Sequence, residues 1–239
     1  MGSPPRYAAV TLDLDGTLAD TVADLHAGCI GMLAALGRPP RSLTEVQRFV
    51  GKGMRILVAR CLDGETATDP VLLEEGVRAF RHHYAQANGQ AARLYPGVRE
   101  GLTALRAQGL PLACVTNKPE EFTHPLLARL GIADAFAVVV GGDTTPQKKP
   151  HPEPILHACR QLGVPPGRNI HIGDSLNDVL AARAAGSLAL CVPYGYTEEG
   201  PVDSAECDAV VSDLIAAAAW LAAANGAGDA PGMTRIQPF

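Results

Sequence analysis

The sequence predicts an α/β fold: a doubly wound parallel sheet of Rossmann-like type, with an α-helical domain inserted near its start. Two observations carry this. Short, continuously apolar, β-branched runs recur along most of the chain, each followed by a helical pattern. One stretch, from about residue 22 to 92, breaks the alternation and shows only helical spacing. Strands apolar throughout belong to a parallel sheet covered on both faces, whereas a half-exposed sheet would alternate apolar with polar.

The first strand is expected over Ala8–Leu14, where AAVTLDL is apolar and β-branched. The helical insert follows. Its apolar residues recur at Leu25, Ile30, Leu33 and Leu36, at Val46, Phe49 and Val50, at Ile56, Leu57 and Val58, and at Leu72, Leu73, Val77 and Phe80. That spacing reads as a small helical bundle. Gly37-Arg-Pro-Pro and Asp63-Gly-Glu-Thr interrupt it, and Leu94-Tyr-Pro-Gly97 returns the chain to the α/β core. Further strands are expected over Leu110–Thr116, Ala137–Val140, Asn169–Ile172, Leu188–Val192 and a short Ala209–Val211. Helices are expected over Gly97–Gln108, Glu120–Leu130, Pro152–Leu162 and Leu176–Ala185. The segment after Asn225, rich in Gly, Ala and Pro, reads as a loose tail. The organisation is therefore an α/β core over residues 1–21 plus 93–239 and a helical unit over 22–92.

With 239 residues and 47% apolar content, the chain can bury a sizeable core. A net charge of -5 argues against a nucleic-acid surface. The six cysteines are scattered singly, with neither Cys-x-x-Cys nor a Cys/His cluster, so no zinc site or disulfide framework is indicated. No signal core and no run long enough to span a membrane is evident, and a cytoplasmic setting without membrane partners is expected. Nothing in the pattern sets the oligomeric state.

Four polar motifs follow predicted strands. Asp13-Leu-Asp15-Gly-Thr17 puts two carboxylates on one side of a strand end, since side chains at i and i+2 point alike. Two adjacent negative charges favour a hard divalent cation such as magnesium. A polar turn would use the same residue types. Val115-Thr-Asn-Lys118 precedes a helix and offers a hydroxyl and backbone N–H groups for an anion, although Thr and Asn also cap helices. Lys148-Lys-Pro150 offers an ammonium for such an anion, or a solvated pair of lysines. Gly173-Asp-Ser-Leu-Asn-Asp178 puts Asp174 at a strand end and Asp178 a helical turn later; a charged helix cap reads the same way. Together the four lie where open α/β sheets bind ligands, beyond the carboxyl ends of the strands.

The order Asp-x-Asp, Thr, Lys, Gly-Asp-x-x-x-Asp resembles the haloacid-dehalogenase superfamily, and the helical insert resembles its small cap domain. The longer set Asp13-Leu-Asp-Gly-Thr-Leu-Ala-Asp20, Gly51-Lys-Gly53, Ile56-Leu-Val-Ala-Arg60, Tyr95-Pro-Gly97, Val115-Thr-Asn-Lys118, Gly141-Gly-Asp143, Lys148-Lys-Pro-His-Pro152 and Gly173–Asp178 is similar to the phosphoglycolate phosphatase family. Thr21 stands where that family often carries Ser and keeps the hydroxyl. The resemblance implies a Mg2+-dependent phosphatase that releases glycolate from 2-phosphoglycolate. It implies Asp13 as nucleophile and Asp15 as general acid and base. The ion would be held by Asp13, the Asp15 backbone carbonyl and Asp174. Phosphate would be held by Thr116, Asn117 and Lys149, with Lys148 an exposed neighbour and Asp178 ordering the lysine or a metal-bound water. The cap would read the substrate through Gly51, Lys52, Gly53 and Arg55. The expected partner is thus a small phosphomonoester. Phosphatases of other small sugar or organic phosphates, and a sugar phosphomutase, share the same core motifs.

Overall fold

The computed structural model describes residues 5–63, 69–196, 202 and 206–226. The element order is β1 (Ala9–Leu12), β2 (Ala19–Asp20), α1 (Val22–Ala35), α2 (Leu43–Phe49), α3 (Met54–Asp63), α4 (Pro70–Ala87), β3 (Arg93–Leu94), α5 (Val98–Ala107), β4 (Leu112–Val115) and α6 (Glu120–Arg129), followed by β5 (Val138–Val140), α7 (Glu153–Leu162), β6 (Asn169–Gly173), α8 (Leu176–Ala185), β7 (Leu188–Cys191), β8 (Ala209–Val210) and α9 (Leu214–Gly226). Six strands form one sheet in the order β5-β4-β1-β6-β7-β8, with every pairing parallel. Every residue of β1, β4 and β6 is buried, as befits the centre of a parallel sheet; the polar Thr11, Asn169 and His171 among them hydrogen-bond to one another. β1 lies between β4 and β6, so the strand order reverses there, and a crevice opens beyond its carboxyl end.

The two faces of the sheet pack separate cores. One holds Val10, Leu12, Leu102, Leu105, Leu126 and Leu214; the other holds Ala113, Val115, Ile155, Val179 and Cys191. The cysteines among the described residues form no disulfide and are buried, in keeping with their reading as small core residues.

Helices α1 to α4 build a third core from Leu25, Cys29, Met32, Leu33, Val58, Phe80 and Tyr84, joined by Phe122 of α6. Ile56 differs from expectation: it is exposed, because successive helical residues turn by about 100° and only its neighbours Leu57 and Val58 face inward. Ser42 caps α2 through a reciprocal bond with Glu45, just past the Gly37-Arg-Pro-Pro break. The break expected at residues 64–66 and the tail beyond residue 226 lie outside the described residues.

Two elements were not foreseen. One is α9. The other is a two-stranded antiparallel ribbon, β2 with β3, where the chain leaves the sheet and comes back. Asp24, buried at the start of α1, accepts hydrogen bonds from the backbone N–H groups of Gly89, Ala91 and Ala92. Its carboxylate therefore ties departing and returning segments together. Among the described residues, no helix is long and apolar enough to cross a membrane.

Candidate active site

β1 delivers Asp13 at its end, hydrogen-bonded through its N–H to Ile172 O of the neighbouring β6. Gly16 then turns the chain with φ of 90°, and a Cβ there would fall 2.2 Å from Asp174 Oδ2. Only glycine lets the first motif press so closely on the fourth.

β6 delivers Asp174, 3% exposed. Its Oδ1 accepts from Thr17 Oγ1 at 3.0 Å and its Oδ2 from the Tyr196 N–H at 2.7 Å. Asp178 opens α8 in a capping box with Ser175.

Lys149 occupies the centre. Its Nζ lies 2.8 Å from Asp13 Oδ1 and 2.6 Å from Asp178 Oδ1, and it donates to Val115 O at 2.7 Å. Lys148 beside it is exposed. Burial pulls the Lys149 ammonium toward deprotonation, but Asp13 and Asp178 outweigh that and hold its pKa above the usual lysine value. Burial works against the charged form of Asp178 as well, yet Lys149 and a hydrogen bond from His171 lower it below the carboxylate range. Asp13 moves the other way: burial raises it to about 6 despite Lys149. Asp174 is raised too, by burial and then by the charges of Asp178 and Asp13.

This imbalance fits a cation. Asp13, Asp174 and Asp178 bring carboxylate oxygens within 4.8 Å of one another, the group of this kind found among the described residues. Asp178 is committed: Oδ1 meets Lys149 and His171, and Oδ2 accepts from Ser175 N and Oγ. Asp13 Oδ1 is buried and, though close to Lys149, lacks an aligned hydrogen bond. Asp13 and Asp174 are therefore the carboxylates left to ligate a hard divalent ion, with Asp178 behind them orienting the lysine.

Thr116 and Asn117 follow β4. Thr116 is buried and accepts from the Lys118 N–H through Oγ1. The Asn117 side chain is a bracket: Oδ1 accepts from Lys149 N, and Nδ2 donates to Lys149 O and to Gly51 O, each at 2.9 Å. Gly51 and Gly53 thus lie directly over the sheet end. Gly53 has φ of 87°, and a Cβ there would meet Asn117 O at 3.3 Å.

A cavity lies between the sheet end and the helices. Its floor is Asp13, Asp15, Thr116, Asn117 and Lys118; its roof is mainly Leu25, Val50, Met54, Leu57, Phe80 and Tyr84, with Gly51 and Gly53 at the side. Two of the residues expected to read the substrate do not line it. Lys52 is exposed, and Arg55 pairs at the surface with Glu74 at 2.6 Å. Both lie beside the glycines in sequence, but α3 begins at Met54 and turns Arg55 outward.

Several residues of the site carried no assigned role in the sequence. Lys118 is 5% exposed, with Nζ 3.0 Å from Asp15 Oδ2 and 2.7 Å from Tyr84 Oη. Thr21 donates to Asp15 Oδ1 at 2.6 Å. Tyr196 Oη accepts from Thr21 N and Val22 N and bonds Asp20, while its own N–H holds Asp174. His171 lies buried between Asp178 and Thr11. Tyr194-Gly-Tyr196 also follows a strand, β7, so the strand-end rule that singled out the other motifs could have flagged it.

Residues 7–186 match the family model of haloacid dehalogenase-like hydrolases. The chain is 46% identical over 217 residues to the phosphoglycolate phosphatase of Thiobacillus denitrificans, covering 90% of this chain and 96% of that one. It is 47% identical over 219 residues to that of Nitrosospira multiformis, covering 91% and 96%. The crystal structure of a predicted phosphoglycolate phosphatase from Haemophilus somnus superposes with a TM-score of 0.82 at 32% identity, covering 89% of this chain and 97% of that one.

Proposed function

The chain belongs to the haloacid dehalogenase-like hydrolases, and from that premise we propose that it hydrolyses 2-phosphoglycolate to glycolate and phosphate with Mg2+ as cofactor. The observation that carries the reading is the buried set of Asp13, Lys149 and Asp178, with Asp13 and, two residues beyond it, Asp15 on the floor of a cavity roofed by helices.

Asp13 attacks phosphorus, forming a P–O bond as the bond to the ester oxygen breaks. Asp15, as the acid, passes its proton to the leaving alkoxide. It then takes a proton from the water that attacks the aspartyl phosphate, and Asp13 departs as a carboxylate. Thr21 orients Asp15 through its hydroxyl. Lys149, with Thr116 and the Asn117 N–H, holds the phosphoryl oxygens, and Asp178 aims the lysine. When bound, Mg2+ held by Asp13, the Asp15 carbonyl and Asp174 would supply positive charge that offsets carboxylate meeting phosphate.

Residues 22–92 act as a cap on the core formed by 1–21 and 93–239. Its helices exclude bulk water, and its apolar roof suits a small alcohol better than a polar hexose.

The test is phosphate release from a panel of small monoesters, with and without Mg2+, for the wild type and Asp13→Asn. The expected result is highest kcat/KM for 2-phosphoglycolate, dependence on the metal, and no turnover by the folded variant. A hexose phosphate ranking first would overturn the substrate. Activity in Asp13→Asn would overturn the mechanism.

A further inference from the structure

We infer that Lys118, together with Tyr84, recognises the carboxylate of the leaving alcohol and so determines which monoester is chosen; this rests on the phosphoglycolate reading above.

The other cations near the site serve other groups or lie outside the cavity. Lys149 is held by Asp13, Asp178 and Val115 O, on the phosphoryl side. Lys52 and Arg55 do not line the cavity. Lys118 does, with its ammonium 3.0 Å from Asp15 Oδ2, the group that protonates the ester oxygen. In 2-phosphoglycolate the carboxylate carbon is two bonds from that oxygen. A substrate whose ester oxygen meets Asp15 therefore carries its carboxylate to Lys118 without any movement of the chain. Most of the remaining roof is apolar and offers an anion nothing.

The partners of Lys118 leave room for a ligand. An ammonium has three N–H donors, and among the described residues two acceptors face it, Asp15 Oδ2 and Tyr84 Oη. The ammonium also lies 4.9 Å from the Tyr84 ring centroid. Tyr84 Oη accepts from Lys118, which leaves its own O–H to donate. Burial pushes that phenol up to about 12, so it keeps its proton. One N–H and one O–H thus converge beside Asp15, a matched pair for a carboxylate. Tyr84 belongs to α4 and Lys118 to the loop after β4, so the same anion would bridge cap and core.

The experiment compares kcat/KM for 2-phosphoglycolate and for ethyl phosphate, whose leaving alcohol is of similar size but uncharged. The variants are Lys118→Met, Lys118→Arg and Tyr84→Phe. Lys118→Met should lower the preference for phosphoglycolate about ten- to a hundredfold, beyond any loss shared by both substrates. Tyr84→Phe should lower it severalfold, and Lys118→Arg should keep part of it. If a wild type that prefers phosphoglycolate loses both activities in equal proportion in Lys118→Met and Tyr84→Phe, the inference falls and the phosphoglycolate reading stands. If Lys118→Met does not fold, an unchanged preference in Tyr84→Phe overturns the inference, and a lowered one supports it. A wild type that prefers ethyl phosphate overturns the substrate reading, and the inference with it.

Discussion

Replacing Lys149 with Met removes the one ammonium shared by Asp13 and Asp178. At 2.8 and 2.6 Å each pair has a gross attraction of about 6 kcal/mol for an effective dielectric of about 20. Much of this offsets the cost of burying the charges, and breaking such a pair leaves a net loss of about 3–5 kcal/mol in stability. Methionine keeps most of the volume, so the loss is electrostatic and no large cavity forms. The catalytic loss is separate. An ammonium aimed at the transferred phosphoryl group is a transition-state contact, worth roughly 10²–10³ in kcat or more. The assay is initial-rate phosphate release at saturating Mg2+, with urea unfolding of the same samples. Lys148→Ala is the control: the side chain is exposed, and kcat should stay within about twofold. If Lys149→Met keeps more than about a tenth of wild-type kcat, the ammonium makes no such transition-state contact. If Lys148→Ala is the more damaging change, the roles of the two lysines are reversed.

Thr21→Val should lower kcat about tenfold by removing the hydrogen bond to Asp15, while Thr21→Ser keeps most of it; equal rates in all three proteins would mean the hydroxyl orients nothing. Arg55→Ala should leave selectivity between phosphoglycolate and ethyl phosphate unchanged and cost about 1 kcal/mol or less, because Arg55 and Glu74 are 53% and 61% exposed. A drop in selectivity would put Arg55 at the substrate after all. Metal binding should depend on pH. Asp13 is raised to about 6 in the folded protein, so between the ordinary carboxylate value of about 4 and that value the fold holds a proton that the unfolded chain has released. The contribution of Asp13 to stability without metal therefore falls as pH rises through that window. A cation binds the deprotonated carboxylate, so the Tm gain on adding Mg2+ should be larger at pH 7.5 than at pH 5. Equal gains at both would refute this.

The central strands were legible because they are buried on both faces and read as largely apolar runs, as in LACV of β4 and AVTL of β1. Helix α9 was not, because LIAAAAWLAAANG is apolar nearly all round and shows no stripe, although its buried residues Leu214, Ala217, Ala218 and Leu221 do follow helical spacing. The ribbon strands are two residues each, too short for any periodicity. At the site, strand ends place Asp13, Asp174 and Thr116 within a residue or two, so a motif at a strand end gives position as well as identity. Lys149 was separable from Lys148 by the proline beside it. Lys118 was harder. It is the third residue past β4, and its direction depends on how that loop turns. Its partner Tyr84 is 34 residues away on helix α4, a contact that spacing cannot express.

The ribbon of β2 and β3 has a consequence for how such a chain can diversify. Asp20 pairs with Arg93, so the insert's ends stand one strand spacing apart, about 5 Å. To the sheet, everything from Thr21 to Ala92 is the loop of a hairpin. The entropy of closing a loop grows only with the logarithm of its length. Shortening this one from about seventy residues to four would change that cost by no more than about 3 kcal/mol. The core is thus nearly indifferent to what is spliced there. Caps of other sizes and other linings could be exchanged at this seam, renewing substrate choice while the strand ends that carry the carboxylates and Lys149 stay as they are.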